Sequence, residues 1–280
     1  MPPNITRLRI DDGSANSAGV ANVSARLVAA FGDACPATTR KPGAVYAFLI
    51  CNAMSLRIAT DGVVRAFNVC VLLGIDCDGA KEILGIVRPH EIADCLYERR
   101  IDHIFNVIGD NEEAAATLRA ACPGSHVQGS IASVIHQSLQ LAPASQRSAL
   151  NGALRAIYRA PTLSSALAAR DALMSGRWGH RYPGIASLWS NSWMNLGDFF
   201  ELPSGLRRFL ETANAADSFV EKLRRKAITL PGSFPDEETA LLALSSYARK
   251  CQGGWRVAPR KWQPAKAYFH GLCAAKRILP

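Results

Sequence analysis

The stretch FLICNAMSLRI, residues 48–58, sets one amide among apolar side chains. Read as a strand, its even positions Phe48, Ile50, Met54, Leu56 and Ile58 share a face with Asn52, because side chains two apart project the same way. Burying that amide costs roughly 1–3 kcal/mol unless it is hydrogen-bonded, so Asn52 is either a satisfied core group or a polar group kept for chemistry. Asp217 raises the same question. In GLRRFLETANAADSFVEKLRRKAI (205–228), Leu206, Leu210, Ala213, Asp217 and Val220 recur at spacings of four and three, which puts a carboxylate on the apolar stripe of a helix. Such a carboxylate is paired, binds a metal, or starts a helix if the chain breaks at 212–214. The third group is cationic. Arg207-Arg208, LRRK (223–226), Arg249-Lys250 and RVAPRKWQPAK (256–266) form basic runs, the last interleaved with Trp255 and Trp262. They read either as a surface for a nucleic-acid backbone or as solvated helix faces.

The elements that must position these groups begin with strands at 45–59, 63–75 and 82–88, separated by turn signals at TDG (60–62) and IDCDGA (75–80). That pattern predicts an antiparallel three-strand meander. PHEIADCLYERR (89–100) opens with proline at a helix start, and IDHIFNVIG (101–109) reads as a short buried strand, so the pair predicts a crossover. NEEAAATLRAAC (111–122) has its acids at the front and stops before Pro123-Gly124, as a helix does, and SHVQGS (125–130) is a candidate fifth strand. From 131 to 206 the pattern is helical, with alanine- and leucine-rich segments at 145–158 and 162–176. Trp189 and Trp193 are four apart with Leu196 beyond, which predicts one packed helix face. KAITLPGSFPDEE (226–238) reads as a loop between two helices.

Composition narrows the classes. A chain of 280 residues that is 49% hydrophobic and 20% charged can bury a sizeable core, and its apolar runs are broken by Arg65, Asn68 or Asp76 before they reach membrane-spanning length. The N-terminal MPPNITRLRIDDGSANSAGV has early arginines but no apolar segment after them, so a flexible tail is expected there and not a secretory signal. Eight cysteines without a CxxC pair read as reduced, cytoplasmic thiols, and their spacing does not suit a structural zinc site. Net charge is +9, and residues 207–280 hold 14 Lys/Arg against 6 Asp/Glu, a balance of +8. The positive field is therefore a property of the C-terminal third. GxGxxG, Walker A, HExxH and GxSxG motifs are all absent.

Three antiparallel strands, helix, strand, helix, strand, a long helical insertion and a helix bearing an acid form the order of an RNase H-like nucleotidyl transferase. The residues also resemble a family, the Mutator-type (MULE-like) transposases of bacterial insertion sequences. The resemblance runs from about 45 to 270 and is densest in IYRAP (157–161), WGHRYPGIASLWSNSWMNLGDFF (178–200), ETANAADS (211–218) and LRRKAITLPGSFP (223–235). It implies an α/β fold with a mixed five-stranded sheet flanked by helices and an all-helical insertion before the last core helix. The expected division is a tail over 1–44, the first part of the core over 45–140, the insertion over 141–206 and basic helices completing the core over 207–280. It also implies that the family's N-terminal DNA-binding region is not included, since the first strand begins near residue 45.

In that family a first-strand Asp, an Asp followed by Gly at the end of the fourth strand, and a Glu after T-x-N-A-x hold two metal ions. Anionic oxygens keep hard Mg²⁺ ions about 3.5–4 Å apart for in-line attack on phosphorus. Carried over residue by residue, the first Asp falls on Asn52, the second on Gly109 with Asp110 one step late, and the Glu on Asp217. The family's Cys-x-x-His pair falls on Ser130 and Ser133. The resemblance thus implies a degenerate triad, a transposase-derived DNA-binding protein without strand cleavage, and no cofactor. Lys222, Arg224, Arg225, Lys226, Arg260 and Lys261 are the residues chosen for phosphate contacts. Two other readings stay open. One is an active transposase using Asp110 and Asp217 with Mg²⁺; the other is a structural protein that self-associates or docks on another chain.

Overall fold

The computed structural model of the chain describes residues 44–60, 63–109, 112–211, 219–220, 222–225, 234, 236–251 and 259–278. The expected tail up to residue 43, the turn at 61–62 and most of the 226–238 loop lie outside them.

Strands β1 (Ala44–Thr60), β2 (Val63–Asp76) and β3 (Lys81–Val87) form the antiparallel meander, and β4 (Ile101–Gly109) lies parallel to β1 on its other side. With β5 (His126–Gly129) the sheet order is β3-β2-β1-β4-β5. Helix α1 (Ile92–Glu98) makes the crossover into β4, and α2 (Glu112–Ala121) follows β4. This is the α/β arrangement expected, a mixed five-stranded sheet of RNase H-like order with helices against it. The β2–β3 turn closes as its residue types dictate: the Asp76 carboxylate accepts from the backbone N–H of Asp78 at 2.9 Å and of Ala80 at 2.7 Å, and Gly79 takes φ +80.

The alternation in β1 is only half of what its sequence suggests. From Val45 to Cys51 both faces are buried, because this part of β1 is the middle strand of the sheet and carries apolar side chains on each side. Leu49 and Cys51 join Leu72, Val107, Ala114 and Leu118 in the core beneath α1 and α2. On the other face Phe48 meets Trp262 and Phe269 of the C-terminal helix, α10 (Pro259–Lys276), at centroid distances of 6.2 and 5.2 Å. Only past the last β4 pair does the simple alternation emerge: Met54, Leu56 and Ile58 are buried, and Ser55 and Arg57 are exposed.

Trp262 corrects a sequence reading. It sits in a basic run, yet it is 3% exposed, donates its indole N–H to the Cys77 carbonyl at 3.0 Å and covers Gly79 so closely that a Cβ there would come within 2.7 Å of its ring. It is a core anchor and presents no face for a base. The seven described cysteines are free thiols, and Cys77 and Cys273 approach to 3.9 Å beside this anchor.

The chain divides into two units, one holding residues up to 127 and from 216 onward, the other residues 128–215. After Gln128 and Gly129, the end of β5, the second is helical in its described part, with α3 (Ile131–Gln140), α4 (Arg147–Tyr158), α5 (Leu163–Ser175), α6 (Arg177–Arg181), α7 (Pro183–Ser192) and α8 (Ser204–Glu211). Trp189, Trp193 and Leu196 are buried together as their spacing predicted, and the Trp189 indole donates to Ser138 Oγ at 2.9 Å. Between α8 and the C-terminal helix lies α9 (Glu237–Cys251). Its start is capped by Asp236, whose Oδ1 accepts the Thr239 N–H at 2.7 Å. None of the described helices is long and apolar enough to cross a membrane.

Candidate functional site

Asn52 lies in the middle of β1, 7% exposed, opposite Val71 of β2. At that burial its amide needs a hydrogen-bonding partner to offset the cost of leaving water.

The parallel register between β1 and β4 decides what lies beside it. Ile50 pairs with Ile108, and Cys51 with Gly109. Paired positions of a sheet project to the same side, and successive positions to opposite sides. Ile108 therefore shares the face of Ile50 and Asn52, while Gly109 belongs to the Cys51 face, toward α2. A Cβ built on Gly109 would stand 2.8 Å from the Ala115 nitrogen and 3.1 Å from its Cα. The glycine is there because the α2 backbone packs directly on it, and no side chain fits. Ile108 is 5% exposed and apolar. Reading residues in a line misses it; counting strand parity across the pair finds it.

Asp110 and Asp217, the two acids of the sequence reading, lie outside the described residues, as does Lys226. Among the described residues no group of three or more His, Cys, Asp or Glu is placed to hold a metal ion. Two of the three acids buried among the described residues, Glu82 and Glu91, have structural partners, and Asp94 is the third. Glu82 accepts from the Tyr46 hydroxyl, and Glu91 accepts from the Arg88 backbone at 2.9 Å and from its guanidinium at 2.8 Å. Ser130, at the position carried over from the family's Cys, is the N-cap of α3 and accepts the Ser133 N–H at 3.1 Å. Ser133 accepts in turn from the Gln137 amide at 3.0 Å.

Of the residues chosen for phosphate contacts, Lys222, Arg224 and Arg225 are exposed on a helical stretch over 222–225. Arg224 donates from Nη2 to the carbonyl of Ala53 at 3.2 Å, which sets its guanidinium next to the residue that follows Asn52. Arg260 and Lys261 are in the first turn of α10, and their side chains are outside the described set. Farther along α10, Lys266 and His270 meet Asp78 at 2.8 and 3.2 Å. The Lys266 ammonium first, and then His270, hold the Asp78 carboxyl below the usual carboxylate range.

Beside Arg224 opens a cleft of about 160 Å³, with Ala53, Ser55, Asn68 and Cys70 of the β1–β2 ribbon as its floor and Thr117 of α2 on its wall. It was not among the sequence candidates. Its polar groups come from both strands of a hairpin and from a helix nearly fifty residues further on, and only the fold assembles them.

A family model described as Transposase, Mutator family matches residues 13–258. The transposase for insertion sequence element ISRM3 of Rhizobium meliloti (strain 1021) is 33% identical over 233 residues, which is 80% of this chain and 58% of that protein. A probable transposase for an ISRM3-like element of Sinorhizobium fredii (strain NBRC 101917 / NGR234) has the same identity and coverage. A probable insertion-sequence transposase of Corynebacterium diphtheriae is 30% identical over 208 residues, 71% of this chain and 60% of its own length. The chain thus spans little more than half the length of these relatives.

Proposed function

The chain belongs to the Mutator family of transposases, and from that premise we propose that it is a transposase-derived DNA-binding protein that neither cleaves nor joins strands. The observation that carries this reading is the neutral pair on one face of the sheet, Asn52 on β1 and Ile108 at the end of β4. In the family's Asp-Gly pair we take Gly109 as the glycine, because α2 leaves room for nothing else, and Ile108 as the position of the Asp. Two dications need anionic oxygens from neighbouring positions on one face, and an amide two residues beyond the strand partner of an aliphatic side chain supplies none. The described residues do not fit a metal pair, so no phosphoryl-transfer step is derived from them.

What supports DNA as the partner is the family and the charge. Phosphate contacts by Lys and Arg release counterions, so each contact adds about 0.9 to the steepness with which binding weakens as salt rises. The exposure of Lys222, Arg224 and Arg225 supports assigning such contacts to them.

The test is an assay of the purified chain with supercoiled and linear duplex in Mg²⁺ and in Mn²⁺, beside a binding titration. We expect binding that weakens with salt, and no nicking or joining. Metal-dependent nicking that disappears on Asp110→Ala or Asp217→Ala would establish the active enzyme instead. Absence of any duplex binding at low salt would leave a structural or docking protein.

A further inference from the structure

We propose that the polar face of the β1–β2 ribbon and the cleft at its base form a seat for the phosphodiester backbone of DNA, with Arg57 and Arg224 at its two ends. The proposal rests on the reading that the chain binds DNA, and it assigns a surface that lies mainly outside the basic C-terminal third.

The ribbon is a consequence of unequal strand lengths. β4 pairs with β1 no further than Cys51 and β3 with β2 no earlier than Cys70, whereas β1 and β2 stay paired as far as Thr60 and Val63. Residues 52–60 of β1 and 63–69 of β2 therefore run on as two strands. One face of this ribbon is apolar and buried through Met54, Leu56 and Ile58, and Ile58 is bridged by Phe234. On the other face the three rows nearest the cleft are Ala53 with Cys70, Ser55 with Asn68, and Arg57 with Ala66, and a fourth, Ala59 with the exposed Val64, lies beyond Arg57. Ser55, Arg57, Ala66 and Asn68 are exposed.

Three properties of that face suit a sugar-phosphate chain. It carries a hydroxyl and an amide between two guanidinium groups, and Thr117 adds a second hydroxyl from α2. None of the residues lining the cleft or forming the three rows is acidic. Ala53, Ser55 and Ala66 are small, so a backbone can approach the sheet without meeting bulky side chains. From the Ala53 row, where Arg224 is anchored, to the Arg57 row is four residues of strand, about 13 Å at ~3.3 Å per residue. Measured along the helix axis, that reach corresponds to the rise of roughly four base pairs. Met54, Pro89 and Ala114 add apolar lining beside these polar groups, as suits the sugar edge of a backbone, and a base-specific reader would need longer side chains on the floor.

The experiment is an anisotropy titration of the full chain against a random-sequence duplex between 50 and 200 mM salt, for the natural protein, Arg57→Ala, Ser55→Asp and Arg155→Ala. Arg155 is exposed on α4 in the other unit and controls for the loss of one charge. We expect Arg57→Ala to weaken binding roughly 3–10-fold at 0.1 M salt and to reduce the salt slope by about 0.9. Ser55→Asp, which puts a carboxylate on the cleft floor at an exposed position, should weaken it at least as much. Arg155→Ala should leave the slope unchanged. Circular dichroism of each variant confirms that the fold is retained. Natural affinity and slope in both Arg57→Ala and Ser55→Asp, with the natural protein binding well, would overturn the seat and leave DNA binding intact. Displacement of the duplex by poly-glutamate at equal charge concentration would also overturn it, marking the surface as one for acidic protein. Failure of the natural protein to bind duplex would remove the DNA reading and this inference together.

Discussion

Replacing Gly109 by alanine adds one methyl group, and the structure says where it goes. The new carbon would lie 2.8 Å from the Ala115 nitrogen, 3.1 Å from Ala115 Cα and 3.3 Å from the Ala114 carbonyl carbon. All three are backbone atoms of α2, so no rotamer change relieves the contact; either the helix or the end of β4 must move. Overpacking of this kind costs about 1–3 kcal/mol. Stiffening of the unfolded chain returns ~0.4–1 kcal/mol of that. The net expectation is a loss of about 0.5–2.5 kcal/mol, with a melting temperature lower by several degrees at roughly 2–4 °C per kcal/mol. Gly271 is the matched control. It lies within α10 in the same unit, a Cβ there meets nothing within 4 Å, and alanine in an exposed helix interior gains ~0.8–1 kcal/mol over glycine. Thermal or urea unfolding of the two variants should therefore shift in opposite directions. If Gly109→Ala were as stable as the natural protein, β4 would tolerate a side chain at 109. The assignment of Ile108 to the acid position would then lose its physical basis.

His103 is 2% exposed against Phe105 at 4.8 Å, and burial, followed by the Lys276 cation, brings its pKa from 6.5 down to about 4. A depressed folded value means the neutral ring is favoured in the fold. Its contribution is present above pH 6.5 and is lost as pH falls toward 4, by up to ~3 kcal/mol. Urea unfolding at pH 7 and pH 5 should show this loss, and His103→Leu should flatten it. Trp262→Ala removes a buried ring and leaves the Cys77 carbonyl without its donor, so a loss of ~3–5 kcal/mol is expected in chemical denaturation. Duplex affinity per folded molecule should not change, because the indole does not face the solvent.

The strands of the meander and β4 were legible to within a residue or so, because turn residues and β-branched runs are local signals. So were the helical segments up to Tyr158 and Ser175, which carry their own caps and stops. Three residues show where that legibility ends. Gly109 aligns with an acid position in a linear comparison, and the pairing of Cys51 with Gly109 and the approach of Ala115 add what no linear comparison carries, that this glycine is packed against α2. Trp262 reads as part of a basic patch because its neighbours are charged, while its burial depends on a turn far earlier in the chain. Arg57 looks like an ordinary exposed residue until the unequal lengths of β1, β3 and β4 leave it on a projecting ribbon. In each case the missing information is which distant element arrives at a position, and periodicity carries none of that.

The clasp of α10 over the β2–β3 turn has a temporal consequence. Trp262 meets Cys77 across 185 residues, and Cys273 meets it across 196. On a ribosome adding ~5–20 residues per second, the meander emerges roughly 10–40 s before the helix that covers Phe48. During that interval a greasy sheet surface is exposed, and holdase chaperones have time to bind it. Closure of this face waits for α10, so a translation product terminated before it is left with an aggregation-prone open face.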